Sequence, residues 1–187
     1  MSTTDKQKFL EGVCVLIDTR EQENKHILQA LEGFNISYEI RKLDIGDYSF
    51  TFGGRDFSMS CAAERKASVD ELYGNVIHDR GRIEKELYAA SQILNQFTVF
   101  IENVGSWGEL KRYKLSDRIM QAEHRKVADI GAVVYSTLQS WKCGNRYSFN
   151  VEFCRNNSDT AGRMLEAFYW HWRNYKELTA PRRKDGK

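Results

Sequence analysis

Proline is almost absent from this 187-residue chain: the one copy, Pro181, stands close to the C-terminus. No proline-rich linker therefore divides the chain, and no clear domain boundary is visible. Cysteine is sparse and scattered (Cys14, Cys61, Cys143, Cys154), with no C-x-x-C pair, and the histidines His26, His78, His124 and His171 are equally dispersed. That spacing excludes the usual structural zinc sites, and the thiols read as buried and reduced, in or beside strands. Long apolar runs are missing too. No stretch approaches the ~18 apolar residues of a membrane span, and the N-terminal "MSTTDKQKFLEG" lacks the apolar core of a signal peptide. The chain reads as intracellular, cytoplasmic if bacterial or phage-encoded, with no membrane partner. Charge of one sign is also in short supply: 28 Lys and Arg stand against 26 Asp and Glu. A total so near neutrality does not decide for or against nucleic acid, because clustered carboxylates can mask a basic surface.

What is present is an ordinary globular composition, 41% hydrophobic and 29% charged, in a length that suits one domain with a sizeable core. "VCVLI" (13–17) is a continuous apolar run of strand length. Thr19 and Gln22 have the spacing of a capping box, predicting a helix to about Leu31. "ISYEIRKL" (36–43) alternates as a half-buried strand, and "DYSFTF" and "DFSMSCAAER" flank the turn Gly53-Gly54 as a hairpin. Ser68 and Glu71 form a second capping box, Gly81 interrupts the helix that follows, and Ile83, Leu87, Ala90 and Leu94 continue it. "FTVFIE" (97–102) is another buried strand, 105–118 is polar and irregular, and Val127 to Trp141 marks a helix. "YSFNVEF" and the stripe Ala161, Leu165, Phe168, Trp172 end the pattern as strand and helix. The order β-α-β-β-β-α-β-α-β-α predicts an α/β domain, a mixed central sheet flanked by helices. Residues 1–10 are expected to be an arm, 11–178 the folded domain, and 179–187 a basic, flexible tail.

Chemistry concentrates at strand ends. In "CAAERKASVDEL" the two-residue period of a strand sends Glu64 and Lys66 to one face and Arg65 to the other. Asp47 opens the preceding strand of the hairpin, Asp18 ends the first strand, and Asp70 lies in the first turn of the next helix. Carboxylates converging on one sheet edge suit Mg²⁺ or Mn²⁺, and an ammonium beside them can hold a water or offset phosphate charge. Singly, each has another reading: Asp18 and Asp70 favour helix N-termini, Asp47 is a turn residue, and Glu64 with Lys66 is a cross-strand pair.

"VLIDTRE", "LDIGDYSF" and "ERKASVDEL" together resemble the nuclease domain of the XPF/Hef family of structure-specific endonucleases. The signature Gly-Asp, variable strand, Glu-Arg-Lys-x-x-x-Asp is matched by Gly46, Asp47, Glu64, Arg65, Lys66 and Asp70, and the upstream Asp-x-Arg-Glu by Asp18, Arg20 and Glu21. The resemblance implies a restriction-endonuclease-like core and a metal-dependent endonuclease on branched or flapped DNA, in repair or recombination. It implies Asp47 and Glu64 as principal Mg²⁺ or Mn²⁺ ligands, with Asp18 and Asp70 assisting. Lys66 would act on the water and Arg65 would organise the site. Arg20, Arg80 and Arg82 are candidates for phosphate contacts. Cys61-Ala62-Ala63 departs from the family's β-branched residues before Glu-Arg-Lys. The free-standing layout looks like bacteriophage and bacterial versions, and a recruiting protein is a possible partner. Intact Asp47, Glu64 and Lys66 favour the enzyme over a catalytically silent DNA- or partner-binding module. On the last helix Trp170 falls opposite the apolar stripe, between Arg163 and Asn174. It is either a lone surface indole or, since the family's nuclease domains pair, the centre of a homodimer interface.

Overall fold

The computed structural model describes residues 3–115, 120 and 129–180. Its strands are β1 (Val13–Ile17), β2 (Ser37–Ile40), β3 (Tyr48–Phe52), β4 (Arg55–Asp56), β5 (Cys61–Lys66), β6 (Gln96–Glu102) and β7 (Asn150–Cys154). They form one sheet in the order β2-β1-β3-β5-β6-β7, with β4 paired to β3 as a short hairpin. β1–β2, β5–β6 and β6–β7 run parallel, and β1–β3 and β3–β5 antiparallel, so the sheet is mixed as predicted. The described helices are α1 (Thr3–Gly12), α2 (Lys25–Gly33), α3 (Val69–Ile77), α4 (Arg80–Ile93), α5 (Trp107–Arg112), α6 (Ile130–Cys143) and α7 (Thr160–Thr179).

Two cores, one per sheet face, follow from the strand period. Cys61, Ala63 and Phe100 face Phe9 of α1, Ile27 and Leu31 of α2, and Met164, Phe168 and Trp172 of α7. Ala62, Phe97, Val99 and Ile101 face Leu72 and Val76 of α3, Ile83 and Leu87 of α4, and Val134, Leu138 and Trp141 of α6. Continuing the alternation along β5 puts Glu64 and Lys66 on the α3–α4 side and Arg65 on the α2–α7 side.

Several boundaries differ from the sequence pattern, each for a local reason. Thr19 and Gln22 do not cap a helix. Asp18 instead accepts the Arg20 N–H at 2.8 Å, the Asn24 side chain donates to the Glu21 carbonyl, and α2 starts only after Asn24. β2 is exposed along its whole length rather than half-buried, because it is the edge strand and pairs only with β1. The helix break falls at His78-Asp79, leaving Gly81 inside α4. The stretch expected to be irregular holds α5, capped by Ser106, whose hydroxyl accepts from Glu109 N–H while Glu109 accepts from Gly105 N–H. The Ser68–Glu71 box forms as predicted, with Ser68 Oγ accepting from Glu71 N–H at 3.1 Å. The expected helix start at Val127, and residues 181–187 of the expected tail, lie outside the described residues.

The expected N-terminal arm is instead α1. Phe9 is fully buried, with its ring 5.8 Å from Phe50, 5.7 Å from Tyr169 and 5.5 Å from Trp172. An aromatic ring at that position belongs to the core. Phe9→Ala should therefore lower the denaturant-unfolding free energy by about 3–5 kcal/mol, the usual cost of truncating a buried aromatic. A midpoint unchanged within error in guanidinium titration would mean that the segment does not pack there.

Candidate active site

Asp47 stands one residue before β3, beside the β3–β5 bridge at Tyr48 and Ala63. Its N–H donates to the Ala63 carbonyl at 2.9 Å, its carbonyl accepts the Asp18 N–H at 2.8 Å, and its Oδ2 accepts the Arg65 N–H at 2.9 Å. The loop can lie this close to β5 because of what both chains lack. Gly46 holds φ at +74°, and a Cβ on it would sit 2.9 Å from the Ala63 carbonyl and 3.2 Å from Ala62 Cβ. On the strand, the small side chain of Ala62 leaves room for this approach.

Glu64 and Lys66 are both buried, and Lys66 Nζ donates to Glu64 Oε1 at 2.7 Å and reaches Glu71 Oε1 at 3.5 Å. Burial works against the Lys66 ammonium, but the adjoining carboxylates of Glu64, Glu71 and Asp47 outweigh it and raise its pKa. Burial and then the charge of Glu64 push the Asp47 carboxyl up to about 8. Burial and the same Glu64 push Glu86 of α4 up to about 7. Glu86 lines one small pocket with Glu64 and Lys66, walled by Leu72, Ile83 and Leu87. Among the described residues no three or more His, Cys, Asp or Glu side chains form a metal cage. What converges is a pair of largely desolvated carboxyl groups, Asp47 and Glu64, at the adjacent interior strands β3 and β5. That donor set fits a hard divalent cation that keeps most of its water.

Asp18 is not part of that pair. Its side chain is fully buried and fully engaged: Oδ1 takes Arg20 Nε at 2.6 Å and Arg20 N–H, and Oδ2 takes Leu43 N–H at 2.6 Å and Arg20 Nη2 at 3.2 Å. Burial raises its pKa, but these donors more than reverse that and hold the carboxyl below its ordinary range. Asp18, expected from the sequence to assist with metal, here joins the 18–24 and 43–47 loops through both carboxylate oxygens. Asp70 sits in the first turn of α3 and accepts from Tyr113 Oη at 2.7 Å; burial and Asp70 together push that phenol up to about 12. The bond ties α3 to the segment after α5.

Arg65 organises from the opposite face. Its guanidinium donates to Glu21 Oε1 at 2.6 and 3.1 Å, to Glu102 Oε2 at 3.0 Å and to the Glu23 carbonyl at 3.1 Å. Glu102 also holds His26 Nε2 at 2.8 Å and accepts from Thr160 Oγ1 at 2.6 Å. One buried network thus joins α2, β5, β6 and α7. The candidate phosphate contacts divide. Arg20, whose side chain is 67% exposed, and Arg82 line one cleft of about 360 Å³ with Lys85, Asp44, Glu86, Ile45 and Ala89. Arg80 points elsewhere: it pairs with Glu84 at 2.9 Å and lies 5.4 Å from the Trp141 ring. Trp170 is half-buried, 5.2 Å from Tyr169 and 5.5 Å from the Arg173 guanidinium, beside a cleft of about 350 Å³ that contains Gln96, Glu152 and Arg163.

The sequence reading missed Glu86, Lys85, Glu71 and Glu102. A signal for two of them was present: Arg82, Lys85, Glu86 and Ala89 recur at helical spacing as one face of α4. Glu102 carried a weaker one, a single charge closing an otherwise buried strand.

The raised Asp47 pKa has a measurable sign. A group whose folded pKa lies above its unfolded value contributes stability below the unfolded pKa, and that contribution is lost as pH rises through the folded one. Cation-free protein should therefore lose stability between about pH 4 and pH 8, and Asp47→Asn should remove that loss. The expected gain in EDTA is on the order of 2 kcal/mol near pH 8.5 and small near pH 4. Thermal melts at the two pH values check it; equal gains at both would show that Asp47 is not desolvated beside Glu64.

Comparison with known proteins agrees with this architecture. No curated protein matches the chain. Among solved structures, XPF from Aeropyrum pernix superposes with a TM-score of 0.56 at 18% identity, covering 84% of this chain and 61% of that one. XPF from Aeropyrum pernix in complex with DNA gives 0.54 at 17%, covering 87% of this chain and 66% of that one. The chain thus spans just under two thirds of each of those proteins, and likeness at this identity carries the fold, a restriction-endonuclease-like core with a mixed sheet. The family model described as the ERCC4 domain matches residues 17–166, which include Asp18, Gly46-Asp47, Glu64-Arg65-Lys66 and Asp70. The chain belongs to the ERCC4 domain family.

Proposed function

We propose that the chain is a divalent-metal-dependent endodeoxyribonuclease that hydrolyses phosphodiester bonds in branched or flapped DNA during repair or recombination. The observation that carries this reading is the adjacency of two surfaces. The Asp47–Glu64 pair with Lys66 lies next to the cleft of Arg20, Arg82 and Lys85, with Glu86 lining both the Lys66 pocket and that cleft. The complex of the Aeropyrum pernix protein with DNA supports DNA as the substrate class.

In this mechanism the cleft arginines and Lys85 neutralise phosphates and set the strand against the carboxylate edge. Asp47 and Glu64 would hold Mg²⁺ or Mn²⁺, which when bound polarises the phosphoryl oxygen and acidifies a water. Asp47 is fixed for that task by its bond from the Arg65 N–H, and Glu64 by Lys66. Lys66 keeps its proton, given its raised pKa, and its ammonium orients the attacking water and offsets charge accumulating on the phosphate. Arg65 and Asp18 act through position: one braces β5 from behind, the other fixes the loop that carries Asp47. Asp70 supports α3 and, through it, the Glu71 that shares Lys66.

Cleavage should appear on flap, fork or four-way substrates with Mg²⁺ or Mn²⁺, exceed that on matched linear duplex, and vanish in EDTA. Lys66→Ala should lower the rate by roughly 10²-fold or more while DNA binding persists. Arg82→Ala should weaken binding where Arg80→Ala does not. Metal-independent cutting, or a fully active Lys66→Ala protein, would remove the assignment.

The chain is further proposed to form a homodimer that covers Trp170, and a recruiting protein would select the substrate. The indole packs partly against the core and lines a cleft with residues of β6 and β7, which leaves part of its ring for a partner. Light scattering at tens of micromolar should give a dimer for the wild type and a monomer for folded Trp170→Glu. A monomeric wild type would discard the pairing.

A further inference from the structure

Among the described residues β2 pairs with β1 alone, and Ser37, Tyr38, Glu39 and Ile40 are all exposed, Ile40 to 58%. The Arg41 N–H donates to the Ile17 carbonyl at 2.9 Å, and the Leu43 N–H turns the same way, to Asp18 Oδ2 at 2.6 Å. Backbone groups alternate in direction along a strand. Glu39, Arg41 and Leu43 therefore face β1, while Tyr38, Ile40 and Lys42 turn their N–H and C=O groups to the open edge. Natural sheets blunt such an edge with proline, bulges or repelling charge. Here the one proline is Pro181, the register with β1 runs without a bulge, and the edge charges are of both signs. Glu39 and Arg41 share the face of Cys14. Tyr38 and Ile40 share the α2 side, where Tyr38 Oη donates to Glu32 at 3.4 Å.

We propose that β2 is a self-pairing edge, which adds antiparallel to β2 of a second copy about a two-fold axis through Ile40. The charges select both the occupant and the register. In a two-fold pair each residue meets a position reflected through the centre, and outward backbone groups must oppose outward backbone groups. Centring on Glu39 or Arg41 sets like charges face to face, and centring on Tyr38 sets Glu39 against Ser37. Centring on Ile40 sets Glu39 against Arg41 of the second copy, and by symmetry does so twice. Opposite charges directly across a strand pair stabilise it, and like charges destabilise it. Arg41 already meets Asp56 of β4, and the five donors of a guanidinium can serve a second carboxylate. On the other face Ile40 lies against its own copy, so the two exposed side chains leave water together. β2 and β7 are opposite ends of the sheet, so this contact is separate from Trp170 and joins copies that pair there edge to edge. So short a strand pair is weak alone, and it is caught by covalent trapping rather than as a stable dimer at tens of micromolar.

Single cysteines read the register, because on a two-fold axis only the central residue meets its own copy. A hydrogen-bonded pair there has Cα atoms about 5.5 Å apart, within reach of a disulfide, and residues off the axis fall outside it. In a Cys143→Ser background, which removes the exposed native thiol, Tyr38→Cys, Glu39→Cys and Ile40→Cys are oxidised and resolved on a non-reducing gel. Ile40→Cys should give several-fold more covalent dimer than either neighbour, and the background protein should give none. Adding Glu39→Lys to Ile40→Cys makes both cross-strand pairs like-charged and should cut the yield several-fold. All three positions are exposed, so thermal melts should match wild type. Highest yield at Tyr38→Cys or Glu39→Cys, equal yields at all three, or a yield untouched by Glu39→Lys overturns the pairing. No cross-link at any position leaves the edge to a strand of a different protein and overturns it as well. None of these outcomes touches the nuclease reading, whose own test is cleavage.

Discussion

The arrangement depends on Arg65 being buried on the side of the sheet away from Glu64 and Lys66. Taking a guanidinium out of water is costly unless nearly all of its donors are met, and removing one partner of such a set leaves an uncompensated buried charge. Here Glu21, Glu102 and the Glu23 carbonyl meet them. Because a strand alternates, fixing Arg65 to the α2–α7 side fixes Glu64 and Lys66 to the α3–α4 side. A one-residue slip of β5 would expose none of these charges to water; it would bury the wrong ones in each core. The clamp thus specifies register, and register specifies the site.

The backbone of the same residue finishes the job. Arg65 N–H holds Asp47 Oδ2, so the strand that presents Glu64 also aims its neighbour. For this the 43–47 loop must lie almost on β5, which goes with a positive φ at Gly46 and with the small side chain of Ala62, whose Cβ would stand 3.2 Å from a Cβ on Gly46. Among the residues before Glu64, Ala62 is thus the one whose small size bears on the loop that carries Asp47.

Much of this was legible in the sequence, and the reasons are local. The strands around Val13–Ile17 and Phe97–Glu102, the Ser68 cap, the apolar stripe of α7 and the facing of Glu64, Arg65 and Lys66 all follow from short-range periodicity. What was not legible depends on distant partners. Thr19 and Gln22 have the spacing of a cap, but Asp18 and Asn24 reorganise the backbone first. The alternation in Ser37–Ile40 is genuine, yet alternation cannot say that a strand lies at an edge with no helix across it. Phe9 looks like an arm residue until Phe50, Tyr169 and Trp172, far away in sequence, surround it. Asp18 has the residue type of a ligand, and only the placement of Arg20 and Leu43 shows that its oxygens are already taken.

The site is consequently built against its own stability. Asp47 and Glu64 are brought together by a loop and a strand that have no freedom to separate them, and the nearest ammonium is committed to Glu64. Ionising Asp47 there is costly, through burial first and the charge of Glu64 second, so the cost is met as pH rises toward 8. Fold and site are coupled through this contact: the Arg65 clamp sets the register that presents Glu64, and the Arg65 N–H holds Asp47 beside it.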